Sequence, residues 1–122
     1  MVPHTRALIA AAAYAVIAGR KVAGLYDHTQ SRDLQIAAEC RGERLQGFDG
    51  DRAARFGGTL PEIYDEGDKA HVSFEVDGTK AQGYDRATST AYVAQVAGLV
   101  VQVYDHGQGA WFAFEVREPD AA

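Results

Sequence analysis

The sequence predicts an all-β domain in which tandem β-hairpins of about 20 residues form a small closed barrel or flower-like array of about ten short antiparallel strands. Three observations predict this fold. Apolar and polar residues alternate in short runs, as in half-buried strands. A glycine stands seven residues before four of five aspartates that end such runs. Each of these aspartates follows an aromatic residue, at Tyr26-Asp27, Phe48-Asp49, Tyr64-Asp65, Tyr84-Asp85 and Tyr104-Asp105.

Residues 1–19 are predicted to form a separate Ala-rich helix. Residues 7–18 are a 12-residue apolar run, and we expect Thr5 to be its N-cap and Gly19 its C-cap. The same run could be the apolar region of a secretory signal peptide. If the run is a helix of the domain, we expect a cytoplasmic location. If it is a signal peptide, the location is secreted or periplasmic. The run is too short for a transmembrane span, which takes roughly 20 residues.

Residues 20–117 are predicted to be the hairpin repeat domain, and residues 118–122 a disordered tail. Gly-containing pairs supply the positive φ that two-residue hairpin turns need. The expected turns are therefore at Arg41-Gly42, Gly57-Gly58, Asp77-Gly78 and Ala97-Gly98.

Two features of the repeats predict how the sheet ends. Pro61 falls in the second strand of a degraded third copy, which predicts an edge strand or a bulge there. Strands 21–27 and 111–116 each lack a hairpin partner. We expect these two strands to pair and close the ring, because closure removes exposed sheet edges, with the helix as a plug or a cap.

Strict alternation places repeated aromatic residues beside Gln or Glu on one face of the hairpins. Such a face suits a carbohydrate or another small polar ligand, because a ring stacks on the sugar and amides bind its hydroxyls. Cross-strand aromatic pairs that only stabilise the sheet are the alternative. The candidate ligand-binding residues are Tyr64, Tyr84, Tyr104, Gln82 and Gln102.

The repeated aspartates are expected to cap the turns that follow them by accepting hydrogen bonds from backbone N–H groups two residues on. Calcium is an alternative at residues 49–51 and 65–68, although neither segment has the spacing of a calcium loop. A zinc site is a further alternative, because imidazole and carboxylate are common zinc ligands. It requires that the first and last copies be neighbours, and its residues are Asp27, His28, Asp105 and His106.

The aromatic–Asp dipeptide with a following turn and apolar strand resembles the tyrosine–aspartate repeats of bacterial surface and toxin-shell proteins. The Gly-Arg that usually follows the dipeptide in that family is missing here, and the nearest approach is Tyr64-Asp65-Glu66-Gly67. By architecture the chain is also similar to the small bacterial hairpin-repeat proteins called β-flowers. This resemblance implies a non-enzymatic scaffold or binding module.

Composition and missing motifs argue against several classes of function. The net charge of −5, without a basic cluster, predicts no nucleic-acid partner. Cys40 is the single cysteine, so no internal disulfide is possible, and no phosphate loop or hydrolase motif occurs.

We therefore predict a non-enzymatic binding or interaction module without a cofactor. Its partner is expected to be a small polar ligand or a protein, with a homo-oligomer as a further possibility. The alternative is a metal-dependent or carboxylate-based hydrolytic enzyme that uses the Asp27-His28 and Asp105-His106 pairs.

Overall fold

The structure is a computed structural model that describes residues 1–119. It confirms the predicted fold class: one N-terminal helix and a nearly closed antiparallel barrel. The helix α1 spans Pro3–Ala13 and continues as a π-helical turn, Tyr14–Ala18. The strands are β1 (Gly24–Asp27), β2 (Arg32–Leu34), β3 (Ile36–Arg41), β4 (Arg44–Asp49), β5 (Ala54–Thr59), β6 (Glu62–Asp65), β7 (Ala70–Ser73), β8 (Glu75–Asp77), β9 (Lys80–Asp85), β10 (Thr90–Ala97), β11 (Val100–Asp105) and β12 (Ala110–Arg117).

The strands follow one another around the barrel in the order β2-β1-β12-β11-β10-β9-β7-β6-β5-β4-β3, and β8 pairs with β9. The expected pairing of the first and last strands is confirmed, since Leu25 of β1 lies opposite Val116 of β12. The remaining gap is bridged between Val22 and Ala38. Their backbone N–H groups donate to each other's carbonyl oxygens at 2.8 and 3.1 Å. Residues 22–27 therefore pair with β12 on one side and contact β3 on the other.

The helix fills the interior of the barrel, which makes it a plug rather than a cap. Every residue from Ala7 to Ala15 is at most 3% exposed. A helix that is apolar on all sides is stable only where it is buried on all sides. Alanine side chains suit this place, because they add little width to the helix inside a ring of strands.

The helix termini agree with the prediction at one end only. Gly19 ends the π-helical turn in the left-handed conformation, with φ of 67°, as predicted. The expected N-cap is wrong: the helix begins at Pro3, Val2 is the N-cap, and Thr5 lies buried inside the first turn. Proline is favoured at the first helical position because its fixed φ is already helical and it has no N–H to satisfy.

Three predicted hairpin turns are present but lie one residue later than expected. Gly42, Gly78 and Gly98 each open a two-residue loop with φ of 59–63°. The second loop residue has no positive φ, which is the pattern of a type II′ turn, in which glycine takes the first central position.

The turn expected at Gly57-Gly58 is wrong, because both glycines lie inside β5. The chain reverses instead at Leu60-Pro61, between β5 and β6. The strand β6 is therefore interior, paired with β5 and β7, and is not an edge strand.

Most of the ten second-strand positions that the alternation assigns to the core are buried. Six of them are at most 1% exposed: Leu25, Leu45, Ile63, Ala81, Val101 and Val103. Gly47 and Gly83 are half-buried, and the assignment is wrong for Ala23 and Pro61, which are exposed.

The predicted tail 118–122 is described only in part. The Glu118 carboxylate accepts a hydrogen bond from the Tyr14 hydroxyl at 2.8 Å, and residues 120–122 lie outside the described residues. Within residues 1–119, no helix has the length and apolar character needed to cross a bilayer.

Candidate functional site

The repeated aspartates turn into the barrel and cap the turns that follow, as predicted. All five are at most 4% exposed. In each case Oδ1 accepts a hydrogen bond from the backbone N–H two residues on, at 2.8–3.1 Å. The donors are Thr29, Asp51, Gly67, Ala87 and Gly107.

The last of these aspartates also holds the plug helix. Arg6 of α1 donates from Nη1 to Oδ2 of Asp105 at 3.2 Å, and the Met1 amino group lies 3.2 Å from the same oxygen. Burial alone raises the pKa of Asp105. The hydrogen bonds from the amino group and from the N–H groups of Gly107 and Gln108 outweigh it and hold that pKa below its usual range.

The structure does not bring the four predicted zinc ligands together. Asp27 and Asp105 point into the barrel, whereas His28 and His106 are exposed on its outer surface, because successive residues of a strand face opposite sides. The whole of β12 also lies between β1 and β11. The strands that end at Asp27 and Asp105 are therefore not direct neighbours.

The five predicted ligand-binding residues lie on the outer surface but do not form one cluster. Tyr64, Tyr84 and Tyr104 are on β6, β9 and β11, with β7 and β10 intervening. Among the described residues none of these three rings packs against another; Tyr104 packs against Trp111, with ring centroids 5.2 Å apart. Gln82 and Gln102 are exposed on the same strands as Tyr84 and Tyr104.

A groove of about 990 Å³ opens instead on the outer face of β3–β6. Gly57 forms its floor, because it pairs with Gln46 on one side and with Tyr64 on the other and has no side chain. Phe48 lies opposite Arg55 along one side of this depression. The groove therefore combines two exposed aromatic rings, one amide and two guanidinium groups.

Five charged side chains line the groove: Lys21, Arg44 and Arg55 are positive, and Glu39 and Glu66 are negative. Neither Arg44 nor Arg55 forms an ion pair within residues 1–119, and both are exposed. The groove carboxylate of Glu39 is already engaged, with Lys21 at 3.6 Å and Arg41 at 3.8 Å. The lining therefore carries one positive charge in excess, and a negatively charged ligand could pair with the two guanidinium groups that have no ion pair.

Sequence reasoning selected Tyr64 but missed the rest of this groove. Gln46 and Phe48 repeat the same Gln–aromatic pattern as the selected residues. The Gly57-Gly58 pair could have indicated the floor of the groove. Glycine pairs between strand-like runs ordinarily indicate a turn, however.

No family model, curated protein or solved structure matches this chain. The resemblance to tyrosine–aspartate repeats and β-flowers remains a prediction.

Proposed function

We propose that this chain is a non-enzymatic binding module whose outer groove takes a small polar ligand, and that acidic saccharides are the class that fits best. The observation that carries the proposal is the side-chain-free floor at Gly57, flanked by Gln46 and Tyr64. Neighbouring strands are about 4.8 Å apart, so these two flanking residues stand roughly 10 Å from each other across the depression.

The lining residues supply the contacts that a sugar acid needs. The exposed rings of Phe48 and Tyr64, which are 46% and 37% exposed, can stack on the apolar side of a pyranose. The amide of Gln46 both donates and accepts hydrogen bonds, which suits hydroxyl groups. The Arg55 guanidinium can bind a carboxylate through two parallel hydrogen bonds.

The chemistry of the groove favours binding over catalysis. Of the described residues that line it, none is a histidine, serine or cysteine. Cys40 lies outside the groove, and burial raises the pKa of its thiol, which disfavours the reactive thiolate. The five buried aspartates are not among the residues that line the groove; they face the barrel interior, where each Oδ1 accepts a turn N–H.

The test compares two double variants by isothermal titration with glucuronate and with glucose. Phe48→Ala with Tyr64→Ala removes the groove rings, and we expect it to abolish binding of both sugars. Tyr84→Ala with Tyr104→Ala removes two outer-surface rings outside the groove, one exposed and one half-buried, and we expect it to bind as the parent does. If binding is lost in the second variant and kept in the first, the site lies near β9 and β11 and the proposed groove is wrong.

A third variant tests the role of charge. Arg55→Gln keeps a hydrogen-bonding side chain but loses the positive charge, so the preference for glucuronate over glucose should disappear while glucose binding persists. Arg32→Gln, on β2 and outside the groove, serves as the control. An unchanged preference in the Arg55 variant, or no binding of either sugar to the parent, contradicts the proposal.

A further inference from the structure

A second group of polar side chains lies where the start of the plug helix meets the turn between β6 and β7. His4 Nε2 and Asp68 Oδ2 are 2.7 Å apart. One carboxylate oxygen of Asp65 joins them, and the three ligand atoms all lie within 4.8 Å of one another. In the described part of the chain this is the one group of three or more His, Cys, Asp or Glu side chains so arranged.

One buried oxygen in this group has no partner. Asp65 is 2% exposed, and its Oδ1 accepts from the Gly67 N–H at 3.0 Å and from Arg52 at 3.2 Å. Its Oδ2 is buried and has no hydrogen-bond partner among the described residues. Buried carboxylate oxygens are normally satisfied, so this unpartnered oxygen points to a ligand that completes the group.

The charges of the group point to a cation. Asp49, Asp65 and Asp68 surround Arg52, whose guanidinium lies 2.7, 3.2 and 3.8 Å from them. Three carboxylates against one guanidinium leave two negative charges when His4 is neutral. One divalent cation would cancel them.

We propose that His4, Asp65 and Asp68 form a three-ligand site for a divalent transition metal, and that Zn²⁺ is the best-suited ion. A neutral imidazole with carboxylate oxygens is a frequent zinc ligand set. Calcium and magnesium prefer oxygen ligands alone, so the imidazole selects against them. A bound ion would fasten the plug helix, which supplies His4, to the rim of the barrel, which supplies the two aspartates.

Zinc titration of the full chain, stripped with EDTA and dialysed, tests the site. The parent should bind one Zn²⁺ and should melt at a higher temperature with zinc, because a ligand that binds only the folded state stabilises it. His4→Gln keeps a hydrogen-bonding side chain beside Asp68 but removes the imidazole. We expect this variant to bind zinc at least about tenfold more weakly, the scale on which even supporting residues alter metal affinity.

His106→Gln is the matched control, because His106 is an exposed histidine outside the cluster, and its zinc binding should equal that of the parent. Asp68→Asn provides a second variant, which removes a ligand while leaving every residue of the helix unchanged. Melts of both cluster variants in EDTA show whether they are folded. A parent that binds no zinc, or equal zinc affinity in the parent and in a folded cluster variant, would show that His4 and Asp68 form only an ion pair.

Discussion

Replacing the aspartate that holds the plug helix tests how the barrel and its helix are joined. Asp105→Asn keeps Oδ1, which accepts the turn N–H groups of Gly107 and Gln108 at 2.8 and 3.3 Å. It replaces the negative Oδ2 with an amide that meets Arg6 and the Met1 amino group. Asp27→Asn is the matched control, because Asp27 accepts the corresponding two turn bonds at 2.9 and 3.2 Å but has no ion pair among the described residues.

The difference between the two variants measures the buried ion pair. Leaving one partner of a buried pair without its counter-ion costs about 3–5 kcal/mol. The control loses only the charge on a turn acceptor, which we expect to cost about 1 kcal/mol. Asp105→Asn should therefore lower the free energy of unfolding by about 3 kcal/mol more than Asp27→Asn, a large share of the 5–15 kcal/mol typical of a domain.

Urea denaturation, followed by circular dichroism at several pH values, measures this difference. With a urea dependence of about 2 kcal/mol per molar, the two midpoints should differ by about 1.5 M near neutral pH. Because the fold lowers the pKa of Asp105, its contribution is fully present above the ordinary value of 3.8. It is lost as the pH falls through the lower folded value. Equal destabilisation by both variants, or a difference that persists in acid, refutes the reasoning.

Three further predictions concern packing, backbone and a buried hydroxyl. Ala11→Leu should cost about 1–3 kcal/mol by overpacking the filled barrel, whereas Ala87→Leu in an exposed turn should leave the melting temperature unchanged. Gly57→Ala should destabilise the fold in urea, because its φ of 151° disfavours a side chain and its Cβ would meet a main-chain oxygen of β4. Tyr92→Phe removes the buried hydrogen bond to the Ser73 carbonyl, 2.7 Å, and should cost about 1–3 kcal/mol in a thermal melt, since that oxygen is left unpaired.

Alkaline titration gives a second measurement on the same tyrosine. Burial raises the pKa of Tyr92 above its usual range, so this phenol stabilises the fold below the ordinary tyrosine pKa. That contribution is lost as the pH rises through the folded value. Burial also raises the pKa of Tyr14, so the absorbance of two tyrosinates should appear together with unfolding in the parent and that of one in Tyr92→Phe. Gradual ionisation of both without unfolding contradicts the assignment.

The alternation of apolar and polar residues was sufficient to predict the fold class and most of the strand residues in the core. A residue's face on a strand depends only on parity, so Leu45 and Val101 could be assigned to the core without knowing the strand order. The pairing of β1 with β12 was also predictable, because two unpaired strands at the ends of a sheet leave edges that closure removes.

The errors arose where local signals had more than one physical meaning. Glycine pairs serve turns and close backbone approaches alike, and at Gly57-Gly58 the second use applies, because β4 passes close to Gly57. Thr5 is a good N-cap in isolation, but Pro3 begins the helix earlier. Three predicted hairpin turns were placed one residue too early, because the sequence alone does not distinguish type I′ from type II′ turns.

The sites depended on contacts between distant parts of the chain. His4 meets Asp68 across 64 residues, and only the insertion of the helix into the barrel brings them together. The zinc site expected at Asp27, His28, Asp105 and His106 depended on direct contact between the end copies. In the structure β12 separates β1 from β11.

Chemical-shift mapping with ¹⁵N-labelled protein is the most direct test of the proposed binding groove. Glucuronate is added to the parent in millimolar amounts, and the backbone amide signals are followed. We expect the largest changes at Gln46, Phe48 and Gly57, with the amides of Tyr84 and Tyr104 unaffected. Changes centred on the Tyr84 and Tyr104 strands, or no change at Gly57, would contradict the account of the groove as the binding site.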